Sequence, residues 1–586
     1  MRVLLLHPED DLPRAAGKVW DLVVDLGRAP RSVYREWKQT TGCEVLSLYD
    51  FAEEIEDLYR IRELLQLGSG QLVGADGIDW WNVVSLELVP DLLRLTLAQR
   101  LSRRLNGHCG LQASRPDLAA RALAFMADSP LRIATGSQPA WRRKVRHYCQ
   151  LLTTTDRHQL AQVLEDKLHL NGFGRTFSSA RSYSSEPVIL LPSAYSNASR
   201  AAAEFAAQLP ERKFLLVCTR TSGRLSSLPP NVAAVPLAMD SAAHSSQELT
   251  QLLDRWQDLK NHLAGQTDEY AAANALGVLH RVPSLLRWAI SCRNAWERVF
   301  AVNNITACLC TDDSNPPTRI PLDLAKAKGL PALACHHGAL DCFMALKTTP
   351  ADFYIAKSEM ERDYLLRVCG LQEDRIVGGT KEPETSVEWP TQSGLVERSW
   401  LVFFSEPYGV SYWRSNEIYA ELLPQLSRLA DDMGLEVILK IHPFESVKDH
   451  HRRLRRYLPK QANTVQVVAG PPSAELWQKT RLALTVQSTT AVQCAELGIP
   501  VFLCGWLRDA HSGYQGQFIR FGAGQVLESV EQIAEIPMRL QERAGPTTRR
   551  YQTWSPFAAE ELEGLFSGVR LVPVANSCQA RRAKLA

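Results

Sequence analysis

At 586 residues the chain is longer than one hydrophobic core holds, and its 45% apolar and 22% charged content is that of a globular protein of two or more domains. Its 66 Lys and Arg stand against 64 Asp and Glu, a net charge of +2 that gives no support for a nucleic-acid or acidic partner. No apolar run reaches membrane-span length, and the apolar part of the N-terminus is too short for a secretion signal.

The chain opens with Val3 to His7, read as a first buried strand. Pro8, Glu9, Asp10 and Asp11 follow, a loop whose acids suit an acceptor contact, a base or plain solvation. CEVLSLYD (43–50) reads as a second strand. A mainly helical, Leu- and Arg-rich region runs to about residue 150, interrupted by GADGIDWW (74–81). There Asp76, Asp79, Trp80 and Trp81 read either as a sugar-stacking platform or as core anchors, the commoner use of paired indoles. Residues 176–186 are Ser-rich and read as a surface connection.

A strand–helix–strand unit comes next. Val188 to Leu191 form its first strand, Ser196 or Asn197 is the expected helix cap, an Ala-rich helix covers 198–209, and Lys213 to Cys218 form the next strand. Helices are expected over 245–301. Two further strands end in Asp312-Asp313-Ser314 and in His336-His337-Gly338. Cys308, Cys310, Cys335, His336, His337 and Cys342 crowd this region, but the paired spacing of a zinc site is missing and reduced core thiols are the better reading. ADFYIAKSEMERDYLL adds a short strand and a helix with acids in its first turn, and RIVGGT closes this half.

Residues 378–400 mix Gly, Pro and charge without periodicity and read as a linker. It divides an N-terminal acceptor-side lobe with helical insertions (1–377) from a C-terminal lobe (401–565), with 566–586 a basic, disordered tail. In the second lobe LVFFSEP ends in Ser405 and Glu406, and MGLEVILKIHP ends in Lys440, His442 and Pro443. LALTVQSTTAVQCAELGIPVFLCG presents Gln487, Ser488, Thr489 and Thr490 before a helical segment. The basic helix 448–458 reads as a solvated face or as a contact with an anionic membrane surface. Short apolar runs alternating with helices predict an α/β fold, two Rossmann-like lobes facing across a cleft, with ligands at the carboxyl ends of the strands. A hydroxyl-rich turn opening a helix suits a phosphate. The plainer readings are a helix cap there and a strand-ending turn at His442-Pro443.

KIHP and QSTTAVQCAELGIPV, preceded by HHGALD and by YIAKSEMERDYLL with GLQEDRIVGGT, carry a resemblance in their order and spacing. Over about residues 300 to 530 the chain resembles the two-lobed GT-B glycosyltransferases of bacterial capsule and surface polysaccharide synthesis. That group includes polysialyltransferase-like, Kdo-transferase-like and glycerophosphotransferase-like enzymes. The resemblance implies a cytoplasmic, inverting enzyme, in part peripheral at the inner membrane face. It would move a sugar from a nucleotide sugar, CMP-linked donors among the options, to a surface glycan or lipid-linked acceptor. His442, with Lys440, would meet the donor phosphate or leaving nucleotide, and Ser488, Thr489 and Thr490 would offer hydroxyls and N–H groups. Gln493, Glu496 and Glu406 would serve the nucleotide. Asp312, Asp313 or His337 would be the base, with Asp10 and Asp11 as third choices. Relatives carry an acid where Gln493 stands and a glycine where Ser314 stands. No Asp-x-Asp demands a metal, and no cofactor is called for.

Two other readings compete. A UDP-N-acetylglucosamine 2-epimerase-like enzyme would use the same fold, but usually carries a Gly-Gly in the phosphate turn, absent here. A non-catalytic binding protein would account for Gln493 and Ser314.

Overall fold

Continuous apolar runs, rather than alternating ones, form the strands, and such runs require a sheet covered on both faces. The computed structural model describes residues 1–7, 20–27, 31–105, 109–133, 186–220, 223–225, 227–238, 247–338, 340, 351–378, 398–406, 418–442, 445–460, 464–507, 514–542 and 559–567. VILLPS (β6, Val188–Ser193) is buried at every position. ITACLC (β9, Ile305–Cys310) and TRLALT (β16, Thr480–Thr485) are buried at all but one.

Three sheets result, each with every pairing parallel. The first contains β1 (Arg2–Leu6), β2 (Leu22–Asp25), β3 (Glu44–Ser47), β4 (Gly110–Ala113) and β5 (Leu131–Ile133), in the order β3-β2-β1-β4-β5. In the middle sheet β6 and β9 are joined by β7 (Lys213–Cys218), β8 (Val232–Pro236), β10 (Ala332–Ala334), β11 (Phe353–Ala356) and β12 (Ile376–Gly378), ordered β12-β11-β10-β9-β6-β7-β8. The C-terminal sheet holds β13 (Trp400–Phe404), β14 (Glu436–Lys440), β15 (Gln466–Val468), β16, β17 (Val501–Cys504) and β18 (Gln525–Leu527), ordered β15-β14-β13-β16-β17-β18. The expected pair of Rossmann-like lobes is therefore present, in the middle and C-terminal sheets.

In all three sheets the first and fourth strands lie side by side, where the winding direction reverses and a crevice opens at the carboxyl ends. A polar pair closes each crevice. His7 Nε2 lies 2.6 Å from Asp117 Oδ2 in the first sheet. The Tyr195 hydroxyl donates to Asp312 Oδ2 in the second, and the Gln487 N–H donates to Glu406 Oε1 at 2.5 Å in the third.

Residues 1–377, expected as one lobe, thus contain two separate sheets. The first has cores of its own, with Val3, Leu5, Val24 and Leu111 on one face and Leu4, Leu6, Val23 and Trp37 on the other. Helices Glu54–Gln66, Val89–Arg104, Gln247–Ala264 and Val282–Val302 form the layer between this sheet and the next. Trp80 and Trp81 are fully buried in that layer. Trp81 stacks on Trp256 at 5.9 Å and donates its indole N–H to the Leu65 carbonyl at 2.7 Å. Asp76 pairs with Arg293 at 2.5 Å, and Asp79 caps helix Trp80–Val84 through the Trp81 N–H. The platform reading is overturned: these residues hold a core together.

Two glycines set the second lobe's turns. Gly434, at φ 65°, ends helix Leu423–Met433 in the left-handed conformation, so β14 begins two residues later. Gly498, also at φ 65°, does the same before β17. Helix Ala559–Phe566, whose residues the sequence assigned to the end of the C-terminal lobe and the start of the tail, packs instead on the middle sheet. Leu562, Leu565 and Phe566 join Ile189, Phe214 and Leu309, and Arg212 pairs with Glu563.

The two lobes also touch directly. Tyr364 meets Tyr514 edge-on at 5.1 Å, and Asp363 accepts from Gln517 Nε2 at 3.1 Å and Arg520 at 2.5 Å. The loop Pro8 to Asp11, the stretch 176–185, linker residues 379–397, Cys342, Pro443 and the tail from residue 568 lie outside the described residues.

Candidate functional site

The run Val437–Ile441 is buried because it is a strand and its exit, so the polar residues that follow are delivered to the sheet edge in fixed positions. Lys440 ends β14 with 5% exposure, and its Nζ donates to the Ile441 carbonyl at 3.0 Å. Beyond it, His442 and Glu445 close a turn from both sides. The Glu445 N–H donates to the His442 carbonyl at 2.9 Å, and the His442 N–H donates to Glu445 Oε2 at 3.0 Å. Ser405, just past β13, donates its hydroxyl to the same Glu445 oxygen at 2.7 Å.

Electrostatics show what faces this turn. Burial pushes the His442 imidazole down to about 4; Lys440, His337 and Arg200 add to that, while Glu445 opposes it. Lys440 is likewise lowered, first by burial and then by Arg200. Arg200 stands in the first turns of helix Ser196–Ala207, after β6, and His337 follows β10. The carboxyl ends of two sheets therefore bring four basic groups together across the cleft. Basic groups gathered at one edge favour an anion between them.

On the middle-lobe side, Asp312 is 1% exposed. Its carboxylate accepts from the Tyr195 hydroxyl, the Ser314 N–H at 2.8 Å, the Ser314 hydroxyl and Asn315 Nδ2 at 2.9 Å. Ser314 thus does in a turn what a glycine could not. Asp313 is fully buried, and its charge adds to burial in raising Cys310, Cys335 and Tyr354. His337 is half-buried, with the Tyr195 ring edge-on at 5.0 Å and His336 at 4.5 Å.

The hydroxyl turn lies after β16. Ser488 Oγ accepts from the Thr490 N–H at 3.3 Å, and the Ser488 N–H reaches Thr485 Oγ1 at 3.4 Å. Thr489 is the cap residue of helix Thr490–Glu496 and makes no side-chain capping bond. Glu406 receives the Gln487 N–H, and so ties β13 to β16. Gln493 is exposed on the helix and Glu496 half-buried.

Tyr195, Arg200 and Glu445 were not singled out from the sequence. For the first two the available signal was position: they follow the first strand of a βαβ unit, where the crevice opens. The expected cap at Ser196 or Asn197 is corrected: Tyr195 is the cap residue, and Asn197 accepts from Arg200. Cys308, Cys310 and Cys335 are core thiols raised by burial, and the described residues contain no group of three or more metal-type ligands.

No protein-family model matches the chain, and no curated protein sequence does. Among solved structures, it is similar to the UDP-GlcNAc 2-epimerase of Methanocaldococcus jannaschii, at 10% identity over 65% of this chain and 100% of that one, TM-score 0.41. It is similar to the wall teichoic acid polymerase TagF at 11% identity, over 73% and 97%, TM-score 0.38. A glycosyltransferase from Rickettsia africae gives 10% identity over 66% and 94%, TM-score 0.35.

Proposed function

We propose that the protein is a metal-independent, inverting glycosyltransferase that moves a sugar from a nucleotide sugar to a surface glycan or lipid-linked acceptor. The observation that carries this reading is the convergence of Arg200 and His337 from the middle lobe with Lys440 and His442 from the C-terminal lobe. A phosphate-linked donor fits between them. His337 takes the proton of the acceptor hydroxyl as its oxygen bonds to the anomeric carbon. The bond from that carbon to the donor phosphate breaks, and the departing nucleotide leaves with the electron pair. Arg200, Lys440 and the His442 imidazole meet its charge, with the hydroxyls of Ser488, Thr489 and Thr490 beside them. Gln493, Glu496 and Glu406 are the nucleotide-side candidates. Asp312, its carboxylate already given four donors, serves in this scheme to hold Tyr195 against His337, and Asp313 lies behind it.

No helix among the described residues is long and apolar enough to cross a membrane. Exposed Lys448, Arg452, Arg455 and Arg456 on helix Val447–Tyr457 support peripheral contact with anionic lipid near a lipid-linked acceptor. Incubation with a panel of nucleotide sugars and acceptors tests the reading. Sugar transfer that is lost in His442→Ala is expected. An epimer without transfer would indicate the epimerase-like alternative, and no turnover a binding protein.

A further inference from the structure

Glu445 has no place in the donor chemistry described so far, yet groups from three separate segments converge on it. Its side chain is 8% exposed. Oε2 accepts from the His442 N–H and the Ser405 hydroxyl, at 3.0 and 2.7 Å, and Oε1 lies 3.5 Å from His450 Nε2. Behind it, His450 Nδ1 is hydrogen-bonded to the Tyr419 hydroxyl. Both are buried, at 7% and 1% exposure. The Tyr419 ring stacks on Tyr457 at 6.3 Å. A chain of side chains thus runs from the helical layer of the C-terminal lobe to the backbone of His442.

We propose that Glu445 is a positioning residue with two effects: it fixes the His442 turn, and its negative charge holds down the cleft's affinity for the phosphate of the departing product. The inference rests on the transferase reading above. A clamp alone needs only an acceptor, and an amide oxygen would serve. A carboxylate adds a charge beside Lys440 and His442, facing Arg200 and His337 across the cleft. It opposes the loss of charge at both Lys440 and His442. Arg200, Lys440 and their neighbours without it would grip the phosphate of the released nucleotide and slow turnover, because binding that persists after bond breaking adds nothing to rate. With it, the field remains positive and becomes weaker.

The test uses the full chain, with inorganic pyrophosphate as probe at pH 8, and compares wild type, Glu445→Gln and Glu445→Ala by titration calorimetry. Glu445→Gln keeps an acceptor for the His442 N–H and removes the charge. It should bind pyrophosphate roughly fivefold tighter, the size expected for one partly screened charge at this range. In sugar transfer its KM should fall together with kcat. Glu445→Ala, which loses clamp and charge together, should bind more weakly than Glu445→Gln. A purely structural residue would weaken binding in both variants, and that result, or unchanged affinity in Glu445→Gln, overturns the proposal. Wild type that fails to bind pyrophosphate overturns the transferase reading as well; wild type that binds while Glu445→Gln is unchanged overturns this inference alone. Native-state hydrogen exchange on the wild type is independent of whether either variant folds. A His442 amide exchanging as fast as exposed loop amides removes the clamp.

Discussion

Tyr195 donates its hydroxyl to the Asp312 carboxylate, joining the loops after β6 and β9 across the crevice of the middle sheet. The same ring stands edge-on to His337. In the proposed scheme Asp312 thereby orients the residue beside His337, the group assigned the acceptor's proton. Tyr195→Phe keeps the ring and deletes the bond. It should reduce kcat roughly tenfold with little change in KM, since a hydrogen bond to a charged group is worth about 1.5–3 kcal/mol. Steady-state sugar transfer checks it; an unchanged kcat would separate Asp312 from the chemistry.

His442 should report anion binding through its proton. Burial pushes the His442 imidazole down to about 4, and a neighbouring phosphate raises it. Binding a nucleotide sugar, whose diester does not titrate here, takes up a proton. Affinity should therefore strengthen as pH falls from 8 toward 6, and His442→Gln should flatten the slope. Calorimetry in buffers of different ionisation enthalpy measures the uptake. His442→Ala should lower kcat on the order of 100-fold.

Stability carries two opposed signals in acid. The lowered His442 means the unfolded chain gains its proton first, so this contribution is present above about 6.5 and is lost as pH falls toward about 4. Asp323 is raised to about 6, by burial above all, with Asp79 and Asp76 adding and Arg319 and Lys326 opposing. Its folded form holds the proton longer, so stability is lost as pH rises from about 4 through about 6. Asp323→Asn should raise Tm at pH 8 and leave it unchanged at pH 3.5. Scanning calorimetry of the two proteins decides; equal Tm values at pH 8 would refute it.

Leu562 is fully buried where helix Ala559–Phe566 meets the middle sheet. Leu562→Ala should cost about 3 kcal/mol, the usual loss for a leucine in a core that cannot collapse around the gap. Urea denaturation measures it. A change below about 0.5 kcal/mol would mean that the helix is only loosely laid on the sheet.

Much of this architecture is written in local pattern. The strand of residues 213–218 matches the reading residue for residue, and β9 and β14 end where their polar residues were expected, because fully buried runs bounded by polar turns have few alternative placements; β6 runs two residues past its expected end at Leu191, to Ser193. The first sheet was mostly hidden. β2, β4 and β5 are four, four and three residues long, and β4 and β5 lie inside a Leu- and Arg-rich region whose helical periodicity dominates. The site was legible on its C-terminal side, where KIHP is compact. Arg200 was not, because a lone arginine in an Ala-rich helix looks solvated until the opposite lobe is in place. Glu445 was missed for a related reason: its partners, Ser405 and His450, are 40 and 5 residues away along the chain.

The helix at the end of the chain has a consequence for how the protein is made. Its three apolar side chains complete a face begun by β6 nearly four hundred residues earlier. During synthesis that face emerges from the ribosome long before the helix does; Phe205 and Ala206 of helix Ser196–Ala207 join it early, and the part that Leu562, Leu565 and Phe566 cover must wait while the C-terminal lobe is translated. The middle lobe is therefore the last to be finished although its first strands come early. Until then its bare apolar surface invites chaperones or aggregation.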